Sequence, residues 1–245
     1  MIYCIYRKLR TMSTLVIIPT YNEKQNIIPL TKEVLGLSND IHVLVVDDNS
    51  PDGTGDLIDE ACKTSSRLHI LHRPAKMGLG TAYKEGFFYA LENNYDRVIT
   101  MDADFSHQPQ YIPQLIDKNQ FFDVAIGSRY VPGGGTVNWG PHRKLISFTA
   151  NFMARMLLGL TAHDCTAGFR CYRDDILRKV DFQGIKSEGY SFLVEMLFNC
   201  VKEGAQIGEI PIIFENRVAG KSKISKKEIY VAILTLLRLA FHRGK

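Results

Sequence analysis

No segment of the 245-residue chain offers the run of about twenty apolar residues that a membrane-crossing helix needs. The long uncharged stretch from Tyr130 to Pro141 is mostly glycine, proline and polar residues. A secretory leader is not indicated, because Met1 to Ser13 places its apolar residues ahead of Arg7, Lys8 and Arg10, the reverse of leader order. Met12 stands just before the first strand and is read as an alternative start. Cysteine is sparse and irregular: Cys4, Cys62, Cys165, Cys171 and Cys200 form an odd set without a CxxC pair, which excludes a disulfide scaffold and reads as reduced thiols. Excess charge of one sign is lacking as well. Thirty Lys and Arg against 26 Asp and Glu leave a net +4, and the basic residues are scattered, so nucleic acid is not an expected partner.

The common chemical signatures are also missing. There is no GxxxxGK[ST], no HExxH and no GxSxG, and Gly78-Leu-Gly80 lacks the third glycine of a dinucleotide fingerprint. The histidines have no zinc spacing. Asp48, Ser50, Asp52 and Gly53 echo a calcium loop, but Asp59 occupies the place of its closing Glu and a strand precedes it, so that reading is rejected.

What remains is ordinary globular composition, 45% hydrophobic, arranged over the first 130 residues as repeated strand, loop and helix. Leu15 to Ile18, Ile41 to Val46, Leu68 to Leu71, Arg97 to Met101 and Val124 to Gly127 read as strands, with helices predicted over Glu23 to Leu35, Leu57 to Ala61 and around Ala82 to Leu91. Nearly continuous apolar strands alternating with helices predict an α/β fold with a mostly parallel sheet covered on both faces. Beyond it, Leu145 to Leu158 and Ser191 to Val201 read as helices, and Gln206 to Phe214 as an edge strand because of Pro211. Ile229 to Phe241 is almost wholly apolar, interrupted by Arg238, and too short to cross a bilayer. It suits either a helix packed on the domain or in a dimer, or one lying in a membrane surface.

Carboxylates gather at strand ends: Asp47 and Asp48 after the second strand, Asp102 and Asp104 after the fourth. In an open parallel sheet this edge is where ligands bind. Two carboxylates separated by one residue need a cation, and a divalent ion that also takes diphosphate oxygens supplies it. Taken alone, an Asp-x-Asp is more often a solvated turn. His107, three residues on, is read either as facing that site or as a loop cap. Arg129, Arg143, Arg170, Arg217, Lys221 and Lys223 follow strand ends or loops and together suit a phosphate-rich ligand.

Several stretches resemble the family-2 glycosyltransferases of the GT-A fold, and among them the dolichyl- and polyprenyl-phosphate mannose synthases. They are Pro19-Thr-Tyr-Asn-Glu23, Val46-Asp-Asp-Asn-Ser-Pro-Asp-Gly-Thr54, Met101-Asp-Ala-Asp-Phe-Ser-His-Gln-Pro109, Gly127-Ser-Arg-Tyr130 and Asp164-Cys-Thr-Ala-Gly-Phe-Arg170. Gly189-Tyr-Ser-Phe192 with Glu195, Glu209-Ile-Pro-Ile-Ile-Phe214, Arg217 and Gly220-Lys-Ser-Lys223 complete the pattern. The resemblance implies an N-terminal extension over 1–13, one GT-A domain over 14–224 and a membrane-associated amphipathic helix over 225–245. It corresponds to the short form without C-terminal transmembrane helices, peripheral on the cytoplasmic side of a membrane. It implies transfer of mannose from GDP-mannose to dolichyl or polyprenyl monophosphate, with small membrane-protein subunits as possible partners.

Residue by residue, the resemblance puts Pro19, Tyr21, Glu23, Val46 and Asp48 at the guanosine, and Asp102, Ala103 and Asp104 beside the diphosphate with Mg²⁺ or Mn²⁺ on Asp102 and Asp104. Ser106 stands where the family often has Gln and is the weak third metal contact. Arg129 and Arg143 are implied on the acceptor phosphate, Arg129 also near the donor, and Arg217 and Lys223 on a loop closing over the donor. Asp104, Arg129 and Arg143 are the expected catalytic set, while Asp164 and Glu195 are expected to be structural or sugar-contacting. A lipid monophosphate is already anionic and attacks without a strong base, so a single displacement inverts the sugar to a β-linked phospholipid. The rival readings are a glucosyl donor, a soluble or peptidoglycan-like acceptor, and a non-catalytic nucleotide-sugar binder or membrane scaffold.

Overall fold

The computed structural model describes residues 12–215 and 226–242. In chain order they form β1 (Thr14–Thr20), α1 (Ile27–Gly36), β2 (Ile41–Asp47), α2 (Thr54–Cys62), β3 (Leu68–His72), α3 (Leu79–Glu92) and β4 (Arg97–Thr100). After a single 3₁₀ turn come α4 (Ile112–Asn119), β5 (Val124–Ser128), β6 (Gly135–Val137), α5 (Pro141–Leu158), β7 (Arg170–Arg173), α6 (Asp174–Leu177), α7 (Gly189–Lys202), β8 (Ile207–Pro211), β9 (Ile213–Glu215) and α8 (Lys226–His242). Seven strands make one sheet in the order β3-β2-β1-β4-β7-β5-β8, all parallel to their neighbours except β7, which runs antiparallel between β4 and β5. Strands β6 and β9 pair separately.

Alternate residues of β1 and β2 explain the layering. Leu15, Ile17, Leu44 and Val46 point to one face, where Tyr83 and Phe87 of α3 and Phe192 and Leu197 of α7 pack. Val16, Ile18, Val43 and Val45 point to the other, against Ile27 and Leu30 of α1, Ile58 of α2 and Leu115 of α4. Each such fully buried side chain contributes about 1.5–3 kcal/mol by leaving water, which is why these strands have no polar face. Gly86 lets α3 approach β1: a Cβ there would lie 2.7 Å from Ile17 side-chain atoms.

Three expected boundaries shift. β1 runs through Pro19, which tolerates the lost N–H because odd-numbered β1 residues face β4, and β4 has already ended at Thr100 opposite Ile17. Helix α1 starts at Ile27 rather than Glu23, since Asn22 is left-handed (φ 62°) and the Glu23 carbonyl closes a turn with the N–H groups of Asn26 and Ile27. The run from Gln206 to Phe214 divides at Ile212 into β8, at the sheet edge, and β9.

Candidate active site

The order of the sheet reverses at β1, which has β2 on one side and β4 on the other. Because β4 stops three residues short of β1, a crevice opens past their carboxyl ends, the place where open α/β sheets bind ligands. Asn22, Asn49 and Phe105, in the loops after β1, β2 and β4, all have positive φ (62°, 56° and 61°). Asparagine adopts this conformation readily; Phe105 does so at a cost typical of functional loops.

Phe105 lies just past the carboxylate pair. Asp102 keeps about a third of its side chain exposed. Asp104 accepts hydrogen bonds at Oδ1 from the Ser106 N–H (3.1 Å) and hydroxyl (2.5 Å). Ser106 is 2% exposed and donates its hydroxyl proton to Asp104, which orients that carboxylate. Ala103 is buried in the core. His107 accepts the Asp102 backbone N–H at Nδ1 (3.0 Å), which fixes a neutral imidazole; its 3.8 Å approach to Asp102 Oδ2 is therefore not an ion pair. Burial lowers the His107 pKa against the opposing pull of Asp102 and Asp104. The loop before β7 closes this corner. Thr100 donates to the Gly168 carbonyl (2.6 Å), and a Cβ on Gly168 would sit 3.4 Å from His107 and 3.9 Å from Asp102.

The residues expected at the nucleotide stand at or just past the ends of β1 and β2. Pro19 is half-buried, and Tyr21 is exposed with the Lys76 ammonium 4.1 Å from its ring centroid. Glu23 binds the Asn26 amide (2.8 Å). Val46 is fully buried among Leu15, Ile17 and Leu44, so its side chain belongs to the core. Asp48, 6% exposed, pairs with the buried Arg73 guanidinium and accepts the N–H groups of Met77 (3.1 Å) and Gly78 (3.3 Å). Those contacts make it the anchor of the 73–78 loop, because an enclosed arginine needs a carboxylate beside it.

Across the sheet, Arg129 forms a fork with Asp164 (Nε to Oδ2 and Nη2 to Oδ1, both 2.7 Å) and also donates to Thr166 Oγ1 (2.8 Å). Burial alone would raise the Asp164 pKa; the Arg129 charge and its hydrogen bonds overcome that and hold it low. Glu209 supports the same loop through the N–H groups of His163 (2.8 Å) and Asp164 (3.0 Å), and Asn151 of α5 accepts from Thr166 N–H (3.2 Å). The second expected arginine is close by: Arg143 Cζ is 4.0 Å and Arg129 Cζ 5.2 Å from the Trp139 ring centroid. A cavity of about 470 Å³ beside them is lined by Arg129, Tyr130, Thr136, Lys144, Leu145 and Phe148, which brings two cations and two large apolar side chains to one space. Arg170 does not join this cluster. It is fully buried, donating to the carbonyls of Leu193 and Cys165 (2.7 Å each), and serves packing rather than anion binding. Arg217, Lys221 and Lys223 lie outside the described residues.

Residues 15–181 match the model of glycosyl transferase family 2, well over half of the chain. The chain belongs to that family. It is 45% identical over 225 residues to the polyprenol monophosphomannose synthase of Mycolicibacterium smegmatis, covering 91% of this chain and 85% of the relative. To the undecaprenyl-phosphate mannosyltransferase of Micrococcus luteus it is 46% identical over 231 residues, covering 93% of each. The fold matches glucosyl-3-phosphoglycerate synthase of Mycobacterium tuberculosis, solved with Mn²⁺, UDP and glucosyl-3-phosphoglycerate, with a TM-score of 0.68 at 16% identity, over 94% of this chain and 80% of that one. The architecture is thus the GT-A-like α/β fold, and the chain is a glycosyltransferase.

In this family-2 glycosyltransferase the cavity opens beside a large apolar surface. On α5, Asn151, Ala154 and Leu158 face inward, while Leu145, Phe148, Phe152 and Met156 form an exposed stripe. On α8, which packs on α5 and α7, Leu236 and Leu239 are buried whereas Tyr230, Ile233, Leu237 and Phe241 are exposed. The two helices carry one acidic residue, Glu228, against Arg143, Lys144, Arg155, Lys226, Lys227 and Arg238. Among the described residues no helix is long and apolar enough to cross a membrane.

Proposed function

We propose that the chain transfers mannose from GDP-mannose to the phosphate of a polyprenyl monophosphate, dolichyl or a bacterial-type polyprenol, giving a β-mannosyl phospholipid. The observation that carries this reading is the cavity beside Arg129, in whose lining Arg129 and Lys144 suit a phosphate while Leu145 and Phe148 suit the first prenyl units. The two mannosyltransferase-named relatives support the sugar and the lipid class. GDP as the nucleotide rests on the resemblance of the motifs.

In the displacement, an acceptor phosphate oxygen forms a bond to the anomeric carbon as the carbon–oxygen bond to the nucleoside diphosphate breaks, and the diphosphate leaves with the electron pair. Arg129, held rigid by Asp164, and Arg143 orient the incoming phosphate and screen the repulsion between two anionic groups. Arg217 and Lys223 are proposed to cover the donor diphosphate. Asp102 and Asp104 fit Mg²⁺ or Mn²⁺: they are hard oxygen donors at a partly open strand exit, with Ser106 aligning one of them. Bound there, such an ion supplies positive charge to the departing diphosphate. The exposed faces of α5 and α8, with their basic excess, are proposed to lie in an anionic membrane surface so that the long prenyl tail stays in lipid.

The test is transfer of radiolabelled sugar to a dispersed polyprenyl monophosphate from GDP-mannose, UDP-glucose or UDP-N-acetylglucosamine, with Mg²⁺, Mn²⁺ or EDTA. Label from GDP-mannose alone, abolished by EDTA, is expected. Label from UDP-glucose would keep the chemistry and overturn the donor.

A further inference from the structure

Trp139 is the single tryptophan of the chain and lies between β6 and α5. Its neighbour Asn138 has a φ of 59°. The ring is 9% exposed, and its N–H is buried without a hydrogen-bond partner among the described residues. Both guanidiniums assigned above to the acceptor phosphate rest on it, Arg143 at 4.0 Å and Arg129 at 5.2 Å. Phe214 braces it in a T-shaped contact (5.5 Å, 76°), and Phe214 in turn meets His107 at 5.5 Å, next to the carboxylate pair.

Asp164 already balances the Arg129 charge. The indole face adds a contact common to both guanidiniums that is not an anion, does not compete for the ligand, and sets Arg143 in register with Arg129. A rigid, braced ring also fixes where the two cations stand. We propose that Trp139 is the positioning residue of the acceptor-phosphate site, the platform that holds Arg129 and Arg143 in place for a lipid phosphate. The inference rests on the reading of those arginines under the proposed function. It adds a residue that touches neither the donor nor the reacting atoms.

Two measurements test it. The first is the emission of Trp139, excited selectively, during titration with geranyl phosphate and, separately, with uncharged geraniol. A saturable change with the phosphate alone is expected; silence, or an equal response to geraniol, overturns the proposal. The second is steady-state kinetics of W139A and W139F. W139A is expected to raise the acceptor KM about tenfold with the donor KM unchanged, and W139F to recover most of it, because a ring remains. An unchanged acceptor KM, or equal rises in both KM values, overturns the proposal. If the wild-type protein transfers no sugar but its emission responds to geranyl phosphate, the transferase reading fails and the platform stands. If it transfers sugar while the tryptophan stays silent, the platform fails and the transferase reading stands.

Discussion

Arg238, the lone charge within the apolar run of α8, donates to Glu195 Oε2 of α7 at 2.6 Å, and Glu195 is 3% exposed. The same arginine reaches Ser187 Oγ (3.0 Å), while Glu195 accepts the Ser187 N–H (2.9 Å). What reads in sequence as an interruption of a lipid-facing helix is the bolt that fastens that helix to the domain. R238A leaves the Glu195 carboxylate enclosed without its cation, and should cost about 1–3 kcal/mol in urea unfolding. R238A/E195Q should recover part of the loss, since the stranded charge is gone. A double variant as unstable as the sum of the singles would deny the coupling.

The carboxylate pair should matter for turnover rather than stability. D102N and D104N are each expected to lose at least about 100-fold in kcat with an unchanged urea midpoint, because charge at the diphosphate is lost while packing is kept. S106A removes one hydrogen bond to Asp104 and should cost only severalfold, at most about tenfold. A loss in S106A equal to that of D104N would instead support Ser106 as a direct ligand.

Asp164 should behave in the opposite way. Both it and Arg129 are buried, and D164N leaves the guanidinium without its counter-charge, a change that costs about 3–5 kcal/mol when a buried pair is broken. Thermal unfolding should reveal this before any kinetic assay does. The folded-state pKa of Asp164 lies below its unfolded value, so its contribution is present above about pH 4 and is lost as pH falls through the lower folded value.

A milder acid sensitivity should precede that. His42 and His69 stack across β2 and β3 with ring centroids 5.7 Å apart. Burial lowers both pKa values from the usual 6.5, helped at His42 by the neighbouring charges of His69 and Arg67. The unfolded chain therefore takes up protons first as pH falls, and stability should decline from about pH 6.5 downward and be level above it. Urea midpoints at pH 7.5, 6.5 and 5.5 check this. H42N/H69N should flatten the decline, with a residual slope from His107, whose pKa burial also lowers.

Much of the frame is legible in the chain itself. Strands β1 to β5 stand out because both faces of the sheet are covered, which leaves unbroken apolar runs such as Leu15 to Ile18. Asp102 and Asp104 are visible for the same reason, as charges directly after such a run. The partnerships are not legible. Arg129 finds Asp164 35 residues away, Glu209 reaches back 45 residues to the Asp164 N–H, and Asp48 meets Arg73, pairings set by tertiary packing that no local spacing encodes. Asn151 leaves a faint signal, a polar residue on the inward face of α5. The exposed stripe of α5 shows in sequence only as amphipathic, because outward and inward apolar faces look alike until the helix is placed.

The most direct test of the account is the chemical nature of the acceptor. Purified protein with GDP-mannose should mannosylate a polyprenyl monophosphate and leave the corresponding free polyprenol untouched, giving a product with a β-anomeric linkage by NMR. Mannose transfer to a soluble sugar acceptor with none to the lipid phosphate, or an α-linked product, would contradict it.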